Sequence, residues 1–261
     1  MHSTALIKNH WAVILCGGRG SRLGSVSESL PKSLVMVHDK PLLWYTVLVL
    51  CEKGFRKFIF PLGYKGEMIE SFITKEFGER DLEIRLVDTG VDTLIANRLH
   101  KVSKLIPEGD DFFLLNGDTF FDFNISEMCQ THKRKNALLT LSSVKIISPY
   151  GILVEEDGVI TDFTRDEKIS YFSLDEDQNK KGYVNSGFSW INKDALNLID
   201  LETCENFERD LYLKVIKLGK ACHYKIDGNW FAIDTQKDLN FINLKEGSKR
   251  EVGELAQQAK K

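Results

Sequence analysis

Leu15-Cys16-Gly17-Gly18-Arg19-Gly20-Ser21-Arg22-Leu23 joins several glycines to cations directly after the apolar run 12–15. Glycines let backbone N–H groups come close to a ligand, and such a nest suits phosphate oxygens. Arg22 would add a bidentate, charge-assisted contact. Further on, Leu30-Pro31-Lys32-Ser33 supplies another cation, and Pro31 restricts the backbone beside Lys32. Two carboxylates follow apolar runs of strand length: Asp118 in Asn116-Gly117-Asp118 after 112–115, and Asp234 after 230–233. Ligands of open α/β sheets bind outside the carboxyl ends of strands. Carboxylates there suit Mg²⁺, which prefers oxygen ligands and shares them with phosphates. Each feature also has a plainer reading: a tight turn for the glycines, a turn residue for Asp118 and a helix N-cap for Asp234. Two common nucleotide motifs are excluded. No G-x-x-x-x-G-K-[ST] string occurs, and Leu23 stands where a dinucleotide fingerprint needs its third glycine.

The elements that must position these residues show as apolar runs. Strands are predicted at 12–15, 58–62, 82–87 and 112–115, with helices at 41–53 and 67–77 between them. Leu43, Val47 and Leu50 recur at helical spacing, and Gly54 stops that helix. This alternation predicts a mostly parallel sheet covered by helices. In the second half, 137–144 and 183–191 read as strands and 207–218 as a helix closed by Gly219. Runs 151–154 and 159–163 flank Asp157-Gly158, a hairpin signal. Runs 222–226 and 230–233 flank Asp227-Gly228. Residues 175–181 read as a solvated loop, and 245–261 as a charged loose helix or tail. One α/β domain over 1–261 is expected, with a mixed second half.

Composition narrows the class. The 261 residues are 43% hydrophobic and 28% charged, with 19 Gly and 5 Pro, an ordinary globular balance. The net charge of -3 argues against a nucleic-acid binder. The apolar run 42–50 is far shorter than the about 20 residues that span a bilayer, so no membrane association is expected. The start lacks a signal-peptide pattern. Five scattered cysteines without C-x-x-C fit reduced thiols in a cytoplasmic protein. The six histidines form no zinc-type pair.

Gly17-Gly18-x-Gly20-Ser21-Arg22-Leu23 followed by Pro31-Lys32 resembles the signature of the sugar-phosphate nucleotidyltransferases, which couple a nucleoside triphosphate to a sugar 1-phosphate and release pyrophosphate. Lys40-Pro41-Leu42-Leu43-Trp44 is similar to the helix start after that signature. Gly63-Tyr64-Lys65-Gly66, and Leu86-Val87-Asp88-Thr89-Gly90 with Arg98-Leu99, resemble the glucose-1-phosphate cytidylyltransferase branch. Asn116-Gly117-Asp118 resembles the family's metal-binding turn, Val184-Asn185-Ser186-Gly187-Phe188 its sugar-binding segment, and Trp230-Phe231-Ala232-Ile233-Asp234-Thr235 its late acidic motif.

The resemblance implies a Rossmann-like three-layer α/β sandwich with a mostly parallel, mixed central sheet. It implies a nucleotide-binding half at 11–120, a sugar or acceptor half at 121–245 and a tail at 246–261. Leu15, Gly17, Gly18, Gly20, Ser21, Arg22, Lys32, Thr89, Gly90, Arg98, Gly117 and Asp118 would meet the nucleotide. Asn185, Gly187 and Lys168 would meet the acceptor, and Asp118 with Asp234 would hold one Mg²⁺. Arg22, Lys32 and Asp118 would carry the chemistry, an in-line attack on the α-phosphorus by positioning and charge stabilisation.

The chain departs from the family pattern in two places. Glu167-Lys168 comes two positions late after Phe163, so either Arg165 or Lys168 takes the acceptor phosphate. Ile95-Ala96-Asn97-Arg98 replaces the branch's Thr-Gly-Gly-Arg, leaving Arg98 either as a reader of cytosine or as a solvated helix charge. The implied substrates are CTP and glucose 1-phosphate. Another base, a heptose phosphate, a glycosyltransferase and a nucleotide sensor are the competing readings. The charged tail and apolar surfaces are compatible with a homo-oligomer without demanding one.

Overall fold

Strands from both halves of the chain meet in a single seven-stranded sheet. The computed structural model describes residues 6–19, 29–147, 152–164, 168–173 and 180–244. In chain order the main elements are β1 (Trp11–Leu15), α1 (Leu42–Glu52), β2 (Lys57–Leu62), α2 (Gly66–Phe77), β3 (Glu83–Asp88), α3 (Ile95–Ser103), β4 (Asp111–Asn116), β5 (Thr119–Asp122), α4 (Ile125–Arg134) and β6 (Leu139–Val144). They continue with β7 (Ile152–Glu156), β8 (Val159–Thr164), β9 (Val184–Asn192), α5 (Phe207–Lys217), β10 (Ala221–Lys225), β11 (Asn229–Ala232) and α6 (Gln236–Leu244). The sheet order is β10-β6-β9-β4-β1-β2-β3. Within that sheet only β9 runs antiparallel to its neighbours, β4 and β6. The expected α/β architecture, mostly parallel but mixed, is what forms.

The strands are apolar on both faces because both faces are covered. Ala12, Ile14, Phe113 and Leu115 turn to one core, shared with α1, α2 and α4. Trp11, Val13, Phe112 and Leu114 turn to the other, shared with α3 and α5. This two-residue alternation places three layers around one sheet. Helix α1 is buried from Leu42 to Leu50, so this apolar run is a core helix. Among the described residues no helix is long and apolar enough to cross a membrane. Phe113 packs its ring 5.7 Å from Phe55, 6.0 Å from Phe188 and 5.3 Å from Trp190, centroid to centroid. Phe113→Ala is therefore expected to cost about 3–5 kcal/mol of stability, read from urea unfolding.

The second half holds one surprise. Strands β7 and β8 form the expected hairpin, with Asp157 and Gly158 both at positive φ (53° and 81°). The runs around Asp227-Gly228 instead go to different partners. β10 pairs in parallel with β6 in the main sheet, while β11 pairs antiparallel with β5 in a separate ribbon. Local pattern identified both strands but could not choose their partners. Residues 175–179 of the polar run and the tail 245–261 lie outside the described residues.

Candidate active site

The chain leaves β1 toward β2 on one side and leaves β4 toward β9 on the other, so neighbouring strands β1 and β4 open a crevice at their carboxyl ends. A cavity of about 500 Å³ lies there. Its walls come from Leu15 to Arg19 after β1, residues 91–95 after β3 with Arg98 on α3, Asn116 to Asp118 after β4, and Lys32 with Ser33. The β4 turn is pinned to β1, because Gly117 N–H donates to the Leu15 carbonyl at 3.0 Å. A Cβ on Gly117 would come within 3.2 Å of Ile14 Cγ2, so glycine permits this close approach. Cys16 is buried, and burial pushes its thiol up to about 12, which keeps it protonated and unreactive.

Lys32 occupies the centre of the acidic side. Pro31, at φ -59° and ψ 142°, starts a short 3-10 turn at Lys32–Leu34. Lys32 Nζ donates to Asp118 Oδ2 at 2.6 Å and to Asp234 Oδ1 at 2.7 Å. Its side chain is only 11% exposed. The two carboxylates, far apart in sequence, meet through the β5–β11 ribbon. Ala232 lies opposite Thr119, and Ile233 N–H donates to the Asp118 carbonyl at 3.2 Å. Asp118 precedes β5 and Asp234 follows β11, so antiparallel pairing brings them to one end.

The N-cap reading of Asp234 is corrected by the same region. Thr235 and Asp238 cap α6 reciprocally: Asp238 Oδ2 accepts from Thr235 N–H at 2.7 Å, and Thr235 Oγ1 accepts from Asp238 N–H at 3.3 Å. The Asp234 carboxylate turns to Lys32 instead.

The remaining residues singled out from sequence separate into groups. Leu15, Gly17, Gly18, Lys32, Gly117 and Asp118 line the cavity. Thr89 is fully buried behind the wall, where its hydroxyl donates to the Leu62 carbonyl at 2.5 Å. Gly90 turns the chain at φ 92° beside it, and neither residue lines the cavity. Arg98 is not a solvated helix charge. It is 5% exposed, and Nε, Nη1 and Nη2 together donate to five protein acceptors.

Asn185 and Gly187 sit in a β9 bulge next to the β4 turn. Asn185 Oδ1 accepts from Gly187 N–H at 3.1 Å, Gly187 has φ 83°, and a Cβ there would lie 3.1 Å from Asn116 Nδ2. Lys168 is exposed on a two-residue ribbon opposite Ile147, beyond the carboxyl end of β6 and outside the cavity lining. Gly20, Ser21, Arg22 and Arg165 lie outside the described residues.

Sequence reasoning missed the opposite wall. Val91, Leu94 and Ile95 line the cavity yet remain 45%, 49% and 43% exposed. Three aliphatic side chains held open on the loop and at the start of α3 form a surface suited to a flat ring. The available signal was apolar residues in a segment with no strand pattern. Arg19 and Asp92, both on the lining, pair with Nη2 2.9 Å from Oδ1.

A family model described as "Nucleotidyl transferase" matches residues 11–246. The chain belongs to the nucleotidyl transferase family. It is 32% identical to a Bacillus subtilis protein named a probable glucose-1-phosphate cytidylyltransferase, over 89% of this chain and 94% of that one. It is 26% identical to the glucose-1-phosphate cytidylyltransferase of Salmonella typhi, over 88% and 93%. Among solved structures, HddC from Yersinia pseudotuberculosis in complex with GMP-PN superposes with TM-score 0.64 at 20% identity, covering 90% of this chain and 98% of that one. That last likeness concerns the fold alone.

In this nucleotidyl transferase the donor set at the acidic side consists of two carboxylates converging on one cation, Lys32. Two carboxylate ligands with phosphates and waters completing the shell are what Mg²⁺ takes, so the residues fit such an ion. Among the described residues no cluster of three or more acidic, His or Cys side chains offers an all-protein metal cage.

Proposed function

We propose that this enzyme transfers a cytidylyl group from CTP to glucose 1-phosphate and releases pyrophosphate. The observation that carries the reaction class is that Lys32 and Asp118 line a cavity at the β1/β4 switch point and that Lys32 also bonds Asp234. The two cytidylyltransferase relatives support the choice of base and acceptor.

In the reaction an acceptor phosphate oxygen attacks the α-phosphorus, a new P–O bond forms, and the bond to the β-phosphate bridging oxygen breaks. That oxygen leaves with pyrophosphate. The acceptor is already ionised at neutral pH, so no general base is needed. Asp118 and Asp234 would hold Mg²⁺, which when bound supplies charge neutralisation and orientation at the α-phosphate. Gly17 and Gly18 offer backbone close to the phosphates, and Arg22 would meet the leaving pyrophosphate. Lys32 passes from the carboxylates to the phosphate oxygens, where its charge counters the repulsion between two anionic substrates. Val91, Leu94 and Ile95 lie against the base and ribose. Asn185 takes an acceptor hydroxyl, and Gly187 allows the sugar close to Asn116. Lys168 approaches the acceptor phosphate from its ribbon. Five unpaired cysteines fit a cytoplasmic setting.

The test is pyrophosphate release with Mg²⁺ across CTP, UTP, GTP, ATP and dTTP against several sugar 1-phosphates. Release with CTP and glucose 1-phosphate is expected. Release confined to another base, or silence with every pair, overturns the assignment.

A further inference from the structure

Among the described residues Arg98 has no ion-pair partner in contact, and a charge carried into the protein this way is unfavourable unless every N–H is satisfied. Its acceptors come from three consecutive strand ends. Nη2 donates to the Gly17 carbonyl after β1 at 3.3 Å, and Nη1 to the Leu62 carbonyl ending β2 at 3.0 Å. The rest belong to the loop after β3: Thr89 Oγ1 at 2.5 Å, the Val91 carbonyl at 2.9 Å and the Thr93 carbonyl at 2.9 Å. A guanidinium has five N–H donors, and all five are used.

The surrounding sequence is shaped to this group. A Cβ on Gly17 would lie 2.6 Å from Arg98 Nη1, and one on Gly63 would strike the same atom. Ala96 and Asn97 favour helix more than a glycine pair would, and α3 begins at Ile95. Arg98 thus lies in the first helical turn, from which a side chain points back toward the helix N-terminus and the loop before it. Ala96 packs into the core and anchors that turn. Lys101 Nζ adds a bond to the Thr89 carbonyl at 2.9 Å. The loop's carbonyls are drawn down to α3, while Val91, Leu94 and Ile95 stand in the cavity.

We propose that Arg98 is a positioning residue that fastens the loops after β1, β2 and β3 into one wall, and so sets nucleotide affinity without reading the base. This rests on the cavity being the nucleotide site. Gly17 and the base shelf are then held together: loosening the guanidinium displaces both.

The experiment is calorimetric titration of CTP, UTP, GTP and dTTP, without acceptor, into wild type, Arg98→Lys and Arg98→Ala. Lysine keeps the charge but offers three donors instead of a five-donor fork. Arg98→Lys is expected to weaken each triphosphate that wild type binds by about tenfold or more, with the preference between bases changed less than about threefold. Guanidinium at about 10 mM, too dilute to denature, is expected to restore much of the lost affinity of Arg98→Ala by refilling the vacated fork. If Arg98→Ala does not fold, Arg98→Lys carries the test. Loss confined to CTP, with the other triphosphates untouched, makes Arg98 a base reader and overturns the proposal. Unchanged affinity in Arg98→Lys overturns it as well. Failure of the nucleotide-site reading looks different, because wild type then binds none of the four.

Discussion

Asp118→Ala is expected to lower kcat for pyrophosphate release by about a thousandfold or more while leaving the fold intact. The loss follows from what the carboxylate does. It is one of two anionic oxygen donors at the end of the crevice, and a cation held there contributes several kcal/mol of charge stabilisation in the transition state. Each 1.36 kcal/mol is about a factor of ten in rate. The fold is spared because Asp118 sits at a rim, with its side chain 26% exposed, and the turn is held by backbone bonds from Gly117 and Ile233. Circular dichroism and a melting temperature within a few degrees of wild type would accompany the loss. Activity within about tenfold of wild type at saturating Mg²⁺ would remove Asp118 from the metal site.

Lys32→Ala is expected to reduce kcat by about a hundredfold with the CTP KM changed only a few-fold. Lys32 is the only described cation bonded to both acidic groups, and it lines the cavity proposed to take the substrate phosphates. An interaction made chiefly with the reacting phosphate lowers kcat and kcat/KM together, whereas uniform binding raises KM alone. Without Lys32 two carboxylates face each other without their shared ammonium. Mn²⁺ binding in the absence of nucleotide, followed by electron paramagnetic resonance, is therefore expected to hold or tighten in the variant. A raised KM with unchanged kcat would give Lys32 a ground-state binding role only.

The two predictions differ in how readily a sequence could have prompted them. Asp118 and Lys32 stand out locally, as a carboxylate after an apolar run and a cation after Pro31. Their meeting with Asp234 does not. It depends on the register Ala232 opposite Thr119, which no local pattern encodes because β11 could equally have paired with β10 across Asp227-Gly228. The strand partner is chosen by burial of both elements against the rest of the molecule. Arg98 shows the same limit from the other direction. In sequence it is an ordinary charge in a helix of polar and apolar residues, yet three strand-end loops converge on it.

Residue type and spacing alone therefore settled the α/β class, the parallel first half, the hairpin at Asp157-Gly158 and, around the crevice, Gly17, Gly18, Lys32 and Asp118. Those features follow from short-range causes: alternation of apolar side chains, glycine at tight turns and the stiffness of proline. Tertiary structure decided which strand lies beside which, that Asp118 and Asp234 share Lys32, that Thr235 rather than Asp234 caps α6, and that Arg98 faces inward. Each of these joins groups distant in the chain. Their energy comes from packing and pairing summed over the whole sheet, so it exists only once the sheet has formed.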